Sequence, residues 1–485
     1  MKYGKVLLIN PAVLKSYMGP IRPPSGLGYL EQYLENNGIN IDIIDMSLGY
    51  SLRHLWKKIE KFRPDLICVT IWTYRYKDTY EFIGRIKERY PNVDIAVGGP
   101  HVSTLRKNVL EDCKDIDYGV VLEGEETLFE LCRGRKLEEI KGLLYWEKGE
   151  VRYEGDRDFL NNLDSVPFPK YKKFEIDKYI LKEMLIISSR GCPFDCIYCP
   201  VKLAIGQKLR IRSAGNIVDE LEYWYNKKYR KFNFGDDNFS FFKDRVYDIC
   251  DEIEKRNLKG LDLRCGNGVR ADRVDKPLLK RMREIGFSYL GFGVEAGNNR
   301  ILKNIKKGER IEKIEEAIKN ACELGYDVTL FFLAGSPGET LSDIADSVKL
   351  AQKYPIFDAR FYNIIPYPGT ELFEWIKKRR LFVRQPQDYL NDAVAFSRKP
   401  LFKTPELSVK ERVNVLRQLK RVENKILRKN LKRKLKQYGF LGRMAANFVP
   451  IEFMHYLIRQ NKFIRRISEK IRYDLNQRPL DNIEC

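Results

Sequence analysis

The chain is poor in histidine, has no long apolar run and lacks the glycine fingerprint of dinucleotide-binding domains. Its 485 residues include three histidines, His54, His101 and His455, and no G-x-G-x-x-G follows the first predicted strand. No apolar run approaches the roughly 20 residues that a membrane span needs. The start, MKYGKVLLIN, offers neither the apolar stretch nor the cleavage site of a signal peptide. These absences predict a cytoplasmic protein whose ten cysteines are thiols or metal ligands.

Positive charge is plentiful but unevenly distributed. The net charge is +21, and from residue 401 onward 21 Lys and Arg stand against 8 Asp and Glu, so well over half of the excess lies at the end of the chain. A basic balance of this size points to nucleic acid or to an anionic membrane as a partner. No nucleic-acid-reading module accompanies the charge, so we do not expect nucleic acid.

The length predicts two or three domains, and residues 1–140 have the pattern of a doubly wound, Rossmann-like α/β domain. Short buried strands alternate there with amphipathic stretches. Such sheets bind ligands at the carboxyl ends of their strands. The predicted strands are Val6 to Ile9, Ile41 to Ile44, Leu66 to Val69, Ile95 to Val97 and Tyr118 to Val121. The candidate binding residues at or just after their carboxyl ends are Asn10, Gly98, Gly99, His101 and Gly124.

Residues 141–182 mix charge, proline and aromatics, which predicts a hairpin and a crossing linker. A second α/β series fills residues 183–380. Six units are too few for an eight-stranded barrel but suit an open, partial (β/α)6 barrel, with its chemistry at the carboxyl ends of the strands. The predicted strands are Leu185 to Ser189, Lys231 to Phe234, Leu261 to Arg264, Tyr289 to Val294, Val328 to Leu333 and Ala359 to Ile365.

Residues 381–485 are basic and helical, and two interpretations of this region stay open. In the first, Lys and Arg form a solvated helix surface while Leu416, Leu419, Ile426 and Leu427 pack inward. In the second, an amphipathic segment contacts anionic lipid and places the protein peripherally at the inner membrane surface. That segment combines Phe440, Leu441, Met444, Phe448, Phe453, Met454 and Leu457 with Arg443, Arg459, Lys462, Arg465 and Arg466.

Three cysteines, Cys192, Cys196 and Cys199, lie at spacings of four and three directly after a predicted strand. A tight loop can present all three thiols to one metal centre. Structural zinc takes four ligands, and no fourth Cys or His lies nearby. A 4Fe–4S cluster held by three thiolates leaves one iron open, whereas electron-transfer clusters of this type are usually held by four cysteines. The other seven cysteines are scattered, and most are expected to be buried free thiols.

The pattern C-x-x-x-C-x-x-C with an aromatic residue before the last cysteine resembles the signature of the radical S-adenosylmethionine (SAM) superfamily. Other patterns are similar to the subgroup with an N-terminal cobalamin-binding domain, and the resemblance covers roughly residues 1 to 375. In the first domain these are Asn10-Pro11, Pro24-Ser25-Gly26-Leu27-Gly28, Gly98-Gly99-Pro100-His101 and Gly124-Glu125-Glu126. In the second they are Arg210-x-Arg212-Ser213, Phe234 to Phe239, Arg270-Ala271-Asp272, Met282 with Gly286, Gly291 to Gly297 and Gly335 to Thr340.

The resemblance implies that Cys192, Cys196 and Cys199 hold three irons of a 4Fe–4S cluster and that the methionine part of SAM chelates the fourth. Tyr198 would lie beside the adenine, unless it is a packed loop tyrosine. Asp236 and Asp237 suit a cationic amino group or ribose hydroxyls, because carboxylates accept hydrogen bonds. The alternative is that one of these two aspartates caps the next helix.

Two further residues have alternative roles under the same resemblance. Glu295 ends an apolar strand, where an ionised group needs a partner. It either binds the polar end of the cofactor or forms a salt bridge with Arg270. Gly335, with Pro337 and Gly338, either lines the cofactor with exposed backbone or makes a plain strand-to-helix turn.

For the first domain the resemblance implies a bound cobalamin, with a domain that binds nothing as the alternative. Domains that place a histidine on cobalt use Asp-x-His-x-x-Gly, and neither His54 nor His101 occurs in that pattern. We therefore expect no histidine on cobalt of that kind. His101 follows a Gly-Gly turn and is expected to be a loop residue near the corrin or a structural hydrogen-bonding residue.

The implied function is radical catalysis: SAM cleaved at the cluster gives a 5′-deoxyadenosyl radical, and with cobalamin present the enzyme methylates an unactivated carbon. The expected substrate is a small molecule, such as a secondary metabolite, or a lipid. The expected electron donor is a protein such as flavodoxin or ferredoxin. One alternative uses the same radical for cyclisation, rearrangement or oxidation. Another is a non-catalytic iron–sulfur redox sensor, which would not need the carboxylates Asp236, Asp237 and Glu295.

Overall fold

The computed structural model describes residues 1–11, 21–392 and 399–448, together with 461, 463 and 464. The chain divides into two compact units. Unit 1 consists of Met1–Ile180, Pro200–Arg210 and Pro386–Ala393, and unit 2 of Leu181–Cys199, Ile211–Gln385 and Val394–Cys485. Among the helices of the described ranges, none has the length and apolar character needed to cross a membrane.

Unit 1 is built on one seven-stranded sheet with the order β2-β1-β3-β4-β5-β6-β7. Its strands are β1 (Lys5–Asn10), β2 (Asn40–Asp45), β3 (Leu66–Thr70), β4 (Asp94–Gly98), β5 (Tyr118–Val120), β6 (Leu143–Glu147) and β7 (Glu150–Tyr153). Its helices are α1 (Ser25–Asn36), α2 (Leu52–Phe62), α3 (Tyr76–Arg89), α4 (Pro100–Leu105), α5 (Lys107–Asp112), α6 (Glu125–Arg133), α7 (Val201–Ala204) and α15 (Pro386–Tyr389).

The first five strands of unit 1 pair in parallel in the doubly wound order 2-1-3-4-5. Every predicted strand of this domain overlaps an observed one, because strands buried on both faces are encoded as short apolar runs. The strand order reverses between β1 and β3, where such sheets open a crevice at the carboxyl ends of the strands. The Rossmann-like fold is confirmed.

Residues 141–182 begin with a hairpin, as expected, and this hairpin of β6 and β7 belongs to the sheet of unit 1, which was not expected. Both strands add to the unit 1 sheet, with β6 antiparallel to β5 and β7 antiparallel to β6. The polar side chains of these residues suggested a linker. The side chains of Leu143, Leu144 and Tyr145 are nevertheless buried, so the sheet continues through residue 153.

Unit 2 contains a six-stranded sheet whose strands follow one another in chain order and pair in parallel. These strands are β8 (Glu183–Ile186), β11 (Lys231–Phe234), β12 (Asp262–Val269), β13 (Phe287–Glu295), β14 (Asp327–Ala334) and β15 (Asp358–Asn363), and two short strands are β9 (Ser189–Arg190) and β10 (Arg210–Ile211). The crossover helices are α8 (Ala214–Asn226), α9 (Lys243–Lys255), α10 (Lys276–Ile285), α11 (Asn299–Asn304), α12 (Ile311–Glu323), α13 (Leu341–Lys353) and α14 (Glu371–Lys378). The partial (β/α)6 barrel is confirmed.

Local sequence signals set the ends of the crossover helices. The Ser213 and Asp275 side chains accept hydrogen bonds from backbone N–H groups in the first turns of α8 and α10. Thr340 and Asp343 form a capping box at the start of α13. Gly286 ends α10 with φ +113°, and a Cβ there would lie 2.6 Å from the Leu261 carbonyl oxygen, so this turn requires glycine.

Residues 409–448 of the C-terminal region are mainly helical, as predicted, and helix α16 (Val409–Lys434) packs against the edge strand β15. Helix α17 (Gly439–Phe448) comes after it. On the inward side of α16 the predicted residues Leu416, Leu419, Ile426 and Leu427 are buried. The Phe361 N–H of β15 donates to Glu423 Oε1 at 2.7 Å, and Asn430 Nδ2 donates to the Ile356 carbonyl at 3.0 Å. Side chains of α16 therefore satisfy backbone groups beside the open edge of the sheet.

Candidate cofactor sites

The loop with the three cysteines follows the first strand of the unit 2 barrel and is held on several sides. Within this loop, Ile197 N–H donates to the Ile305 carbonyl at 3.1 Å, and the Ile197 carbonyl accepts from Leu372 N–H at 2.9 Å. The Arg270 guanidinium lies 3.4 Å from the centroid of the Phe194 ring. These contacts from three other elements fix the loop before any ligand binds.

The thiols of the three cysteines are the candidate ligands of this loop. Cys196 is buried, Cys192 and Cys199 are partly exposed, and burial raises the pKa of both Cys192 and Cys196. Within residues 1–11, 21–392 and 399–448, no three side chains of His, Cys, Asp or Glu converge on one metal ion. The three thiols of this loop therefore do not meet at a single ion, and a 4Fe–4S cluster suits them better, because each thiolate binds a different iron and the fourth iron stays open.

Tyr198 lies inside the same loop and close to its thiols. Its hydroxyl is within hydrogen-bonding reach of the Cys196 thiol, and burial, followed by the charge of Glu295, raises the Tyr198 pKa well above its usual value. The structure therefore places Tyr198 between a cysteine and the end of β13. Its position beside an adenine stays a prediction.

Glu295 occupies the end of β13 in a strained backbone conformation. Its φ of +65° is left-handed, which a non-glycine residue rarely adopts. Glu295 Oε1 lies 3.2 Å from Lys307 Nζ, and Lys307 Nζ lies 3.4 Å from Glu309 Oε2. A Cβ on Gly293 would lie 2.8 Å from Glu295 Oε1, so glycine makes room for this ion pair.

The expected salt bridge between Glu295 and Arg270 is not the contact that forms. Arg270 instead pairs with Asp272 at 3.0 Å and lies 3.9 Å from Glu309. The turn after α11 brings Lys307, and not Arg270, to Glu295, which the sequence alone did not reveal. Burial by itself would lower the pKa of Lys307, but the carboxylates of Glu295 and Glu309 outweigh it and raise that pKa.

Asp236 and Asp237 are adjacent in sequence but differ in burial and in hydrogen bonding. Asp236 is buried and accepts hydrogen bonds from Ser188 N–H at 2.7 Å, Ser189 N–H at 3.2 Å and the Ser188 hydroxyl. The hydrogen bonds of the Asp236 carboxylate are thus made to the chain that leads into the cysteine loop. Asp237 is partly exposed, and burial followed by the charge of Asp236 raises its pKa to about 6. Asp237 is the one of the two with a surface left for a ligand.

Neither aspartate caps the following helix, which corrects that alternative. The residue before α9 is Phe242, and no side chain caps that helix end. The prediction failed because residues 238–242 extend the loop by more than one turn before α9 begins.

Gly335 lies in a loop that the C-terminal region holds in place. Its φ is +96°, and a Cβ would lie 2.3 Å from Arg412 Nη1. The Arg412 guanidinium donates to the Gly335 carbonyl at 3.1 Å and to Thr404 Oγ1 at 2.9 Å. Glu339 accepts from the N–H groups of Gly335 and Ser336 at 2.5 and 3.2 Å. In the loop after β14, Glu339 thus accepts hydrogen bonds from backbone N–H groups, and Arg412 donates one to a backbone carbonyl.

The candidate cobalamin residues of unit 1 lie at or just after the carboxyl ends of β1, β4 and β5. Asn10 Nδ2 donates to Asp45 Oδ1 at 2.8 Å, which ties β1 to β2. At Gly99 φ is +104°, and a Cβ would lie 2.9 Å from the Ile71 carbonyl oxygen, so only glycine fits. Gly98 and Gly124 have ordinary space for a Cβ and are not required by the fold.

His101 is part of helix α4 and not of a loop, which corrects one of its two expected roles. Its ring stacks on Tyr76 at 4.6 Å, and Nε2 lies 3.0 Å from the Tyr80 hydroxyl. The side chain is fully buried, which lowers its pKa to about 3. These contacts support the alternative role of a structural hydrogen-bonding residue.

The carboxyl edge of unit 1 also presents a large apolar side chain. Trp72, two residues after β3, is 53% exposed at the strand that flanks the crevice. A glycine edge and an exposed indole fit a large flat ligand such as a corrin. His54 Nδ1 interacts with Ser51 at the start of α2. His54 therefore contributes to the capping of α2, and His101 is buried against Tyr76 and Tyr80.

Comparison with known proteins agrees with this assignment of the two units. The radical SAM superfamily profile matches residues 186–351, and the B12-binding domain profile matches residues 12–131. The chain is 33% identical over 387 residues to an uncharacterized methyltransferase of Pyrococcus horikoshii, which covers 77% of this chain and 83% of that protein. The chain belongs to the cobalamin-binding radical SAM enzymes. Its cofactors are accordingly a 4Fe–4S cluster, SAM and cobalamin.

Two further relatives show the range of this enzyme family. Cytidylyl-2-hydroxyethylphosphonate methyltransferase of Streptomyces wedmorensis is 26% identical over 441 residues, covering 76% of this chain and 81% of that enzyme. Anaerobic magnesium-protoporphyrin IX monomethyl ester cyclase of Cereibacter sphaeroides is 25% identical over 371 residues, covering 73% and 60%. The solved structure of the cobalamin-dependent radical SAM enzyme OxsB superposes with a TM-score of 0.73 at 18% identity, covering 97% of this chain and 75% of that one.

Three residues at these sites were missed at the level of sequence. Lys307 stands in Lys306-Lys307-Gly308, which resembles an exposed charged turn, yet its side chain is only 9% exposed. Arg412 stands in a basic run but is 4% exposed. Trp72 follows a predicted strand end, and that position could have marked it as a ligand contact.

Proposed function

We propose that this enzyme transfers a methyl group to an unactivated carbon of a small molecule or lipid by a radical route. The observation that carries the proposal is the three-thiol loop at the carboxyl edge of the unit 2 barrel, beside buried charged groups. When bound there, a reduced 4Fe–4S cluster supplies the electron that cleaves SAM and generates a 5′-deoxyadenosyl radical. The methyltransferases among the relatives support methyl transfer as the outcome.

In this proposal the residues of unit 2 bind and orient SAM. The open carboxylate of Asp237 accepts a hydrogen bond from an ammonium or hydroxyl donor. Glu295, held by Lys307 and by its left-handed backbone, presents its carboxylate at a fixed angle at the end of β13. The Gly335 loop, clamped between Glu339 and Arg412, offers rigid backbone. Rigid polar groups align a reactive cofactor carbon with a substrate carbon better than mobile ones.

Unit 1 holds cobalamin in this proposal, and it does so without a histidine on cobalt. Gly99 lets the end of β4 pack closely against the Ile71 backbone after β3, which shapes the crevice, and Trp72 supplies an apolar face. Asn10, tied to Asp45, keeps the end of β1 in place beside the crevice.

The same proposal includes the domain bounds. The cobalamin-binding domain ends and the radical SAM barrel begins between residues 153 and 183, and the barrel extends to about residue 380.

Cyclisation stays a second candidate outcome because one relative is a cyclase. Both outcomes begin with hydrogen abstraction by the same radical and differ in what the substrate carbon then accepts.

A flavodoxin- or ferredoxin-type protein is the proposed electron donor.

The test is anaerobic reconstitution with iron, sulfide and hydroxocobalamin, compared between the unaltered enzyme, Cys196→Ala and Cys322→Ala. Cys322 lies in α12, outside the loop, and serves as the matched thiol control. We expect cluster absorbance, bound cobalt and reductive formation of 5′-deoxyadenosine in the unaltered enzyme and in Cys322→Ala. We expect Cys196→Ala to lose the cluster and the product.

Three outcomes would contradict parts of the proposal. Equal cluster content in Cys196→Ala would remove the ligand assignment. A full cluster without bound cobalamin would remove methyl transfer from cobalamin. A full cluster that never cleaves SAM, with or without candidate substrates, would favour the redox sensor.

A further inference from the structure

Helix α17 exposes its large apolar side chains and buries its small ones. Gly442 and Ala446, one turn apart, are buried. Phe440, Leu441 and Met444 are 68%, 74% and 40% exposed. A surface helix of a water-soluble protein normally has the opposite arrangement, with its large apolar residues inside.

Close packing at glycine fixes this orientation. A Cβ on Gly442 would lie 2.0 Å from the Leu435 carbonyl oxygen at the end of α16, so any larger residue would push α17 away. The sequence therefore specifies a helix that contacts the end of α16 closely at Gly442 and exposes its large apolar side chains. Phe448, at the last turn, is 48% exposed as well.

The neighbouring helix α16 presents a cationic side. Its two acidic residues are Glu411, which caps the first turn, and Glu423, which is buried and bonded to the Phe361 N–H. Beyond the first turn, its exposed charged residues are thus all basic. They are Arg417, Lys420, Arg421, Lys425, Arg428, Lys429, Lys432 and Arg433.

A groove of about 290 Å³ lies between the second half of α16 and the end of α13. Three cationic residues, Lys425, Lys429 and Arg433, line it together with the apolar Ile356 and Ile426. The groove and the contact between Gly442 and Leu435 both belong to the C-terminal end of α16. A groove with cations and apolar carbon side by side suits a phosphate-bearing head group.

We propose that the cationic side of α16 and the apolar side of α17 form a docking surface for an anionic phospholipid bilayer. Helix α17 would lie in the plane of the interface with its aromatic and aliphatic side chains among the acyl chains. The basic residues of α16 would contact the head groups, and both contributions strengthen binding to a membrane surface. Charge alone would serve many acidic partners, but exposed Phe440 and Leu441 need an apolar phase as well.

The inference is independent of the proposed radical chemistry because the surface is formed by the C-terminal helices and the end of α13, and by none of the candidate cofactor residues. It bases the lipid-contact interpretation of the basic C-terminal region on helices α16 and α17, which the structure describes. The remainder of that predicted segment, Phe453, Met454, Leu457, Arg459, Lys462, Arg465 and Arg466, lies outside the described residues.

The experiment measures flotation of the full-length protein with unilamellar vesicles. One set is phosphatidylcholine, and the other contains about 30% phosphatidylglycerol. We expect binding to the anionic vesicles, weakened by raised salt, and little binding to the neutral ones. Phe440→Ser with Leu441→Ser, and separately Lys425→Glu with Lys429→Glu, should each reduce the bound fraction about tenfold.

Matched controls come from elsewhere in unit 2. Leu341 on α13 is 52% exposed, and Leu341→Ser should leave vesicle binding unchanged. Lys280→Glu with Lys303→Glu removes the same charge from α10 and α11, where both lysines are exposed, and should have little effect. Each variant is first checked for an unaltered melting temperature and iron–sulfur content.

Several results would overturn the proposal. Equal binding to neutral and anionic vesicles, or unaltered binding of the two surface variants, would remove it directly. A lower melting temperature confined to the Phe440 and Leu441 variant would mean that these side chains pack against the protein itself. A change from oligomer to monomer in that variant would assign the surface to a second copy of the chain. Saturable binding of free glycerophosphoglycerol without vesicle binding would reduce the groove to a phosphate site.

Discussion

The two candidate cofactor sites use the same feature, the carboxyl ends of parallel strands, with different chemistry. In unit 2 the strand ends carry buried ions in contact, such as Lys307 between Glu295 and Glu309, on strained backbone. In unit 1 they carry glycine, an exposed indole and a neutral, buried histidine. A small charged cofactor needs directed polar contacts, whereas a large flat one needs room and apolar surface. Under the proposed function, SAM would bind at the edge with charged groups and cobalamin at the edge with glycine and tryptophan.

The largest expected effect tests the ionic site. Lys307→Met leaves two buried carboxylates short of a cation, which should lower the free energy of unfolding by about 3 to 5 kcal/mol. Lys306→Met is the control, because Lys306 pairs with Glu371 on the surface and should contribute under about 1 kcal/mol. Chemical denaturation of the two variants, followed by circular dichroism, measures the difference. Equal losses would show that the buried network is not stabilising.

The next effect tests the glycine edge of unit 1. Gly99→Ala should lower the free energy of unfolding by about 1 to 3 kcal/mol through backbone strain and release cobalamin on desalting. Gly49→Ala is the control, since Gly49 also has positive φ (+91°) but no atom within 4 Å of its added Cβ. It should show strain of similar size and keep its cobalamin. Retention of cobalamin by both variants would contradict the role given to Gly99.

A pH titration tests the neutral histidine. The unfolded His101 has a pKa of about 6.5, and burial lowers it to about 3 in the folded protein. Between these values the unfolded state binds a proton that the folded state does not. Stability is therefore lost as the pH falls below about 6.5, by about 1.4 kcal/mol per pH unit from this residue. His101→Gln should show a shallower decline in melting temperature between pH 6.5 and 4.5, and an unaltered slope would count against it.

The smallest effect concerns the open carboxylate of the ionic site. The Asp237 pKa is about 6, so its charged, accepting form dominates only above that pH. SAM binding, followed by perturbation of the electron-spin spectrum of the reduced cluster, should strengthen several-fold as the pH rises from about 5 to 7. Asp237→Asn should bind SAM with much less dependence on pH. The same dependence in that variant would assign the titration to another group.

Strand positions and the cysteine loop were predictable from sequence because both are local signals. Buried parallel strands are apolar runs, and three cysteines at short spacing occupy one loop. The partners of Asp236 and Glu295 were not predictable, since Ser188 and Lys307 approach them only when the strands pair. The β6 and β7 hairpin was expected, but its pairing with β5 was not predictable, because its polar residues concealed a buried side. Arg412 was hidden in a run of surface cations, although its side chain is enclosed.

The bond from the Phe361 N–H to Glu423 has a consequence for any shortened form of the protein. Strand β15 is the last strand of an open sheet, and α16 covers it along its length. A chain that stopped near residue 400 would leave that strand able to recruit an extended segment from a neighbouring molecule. The C-terminal helix therefore protects the last strand of the barrel, and truncation is expected to yield insoluble protein before any question of catalysis arises.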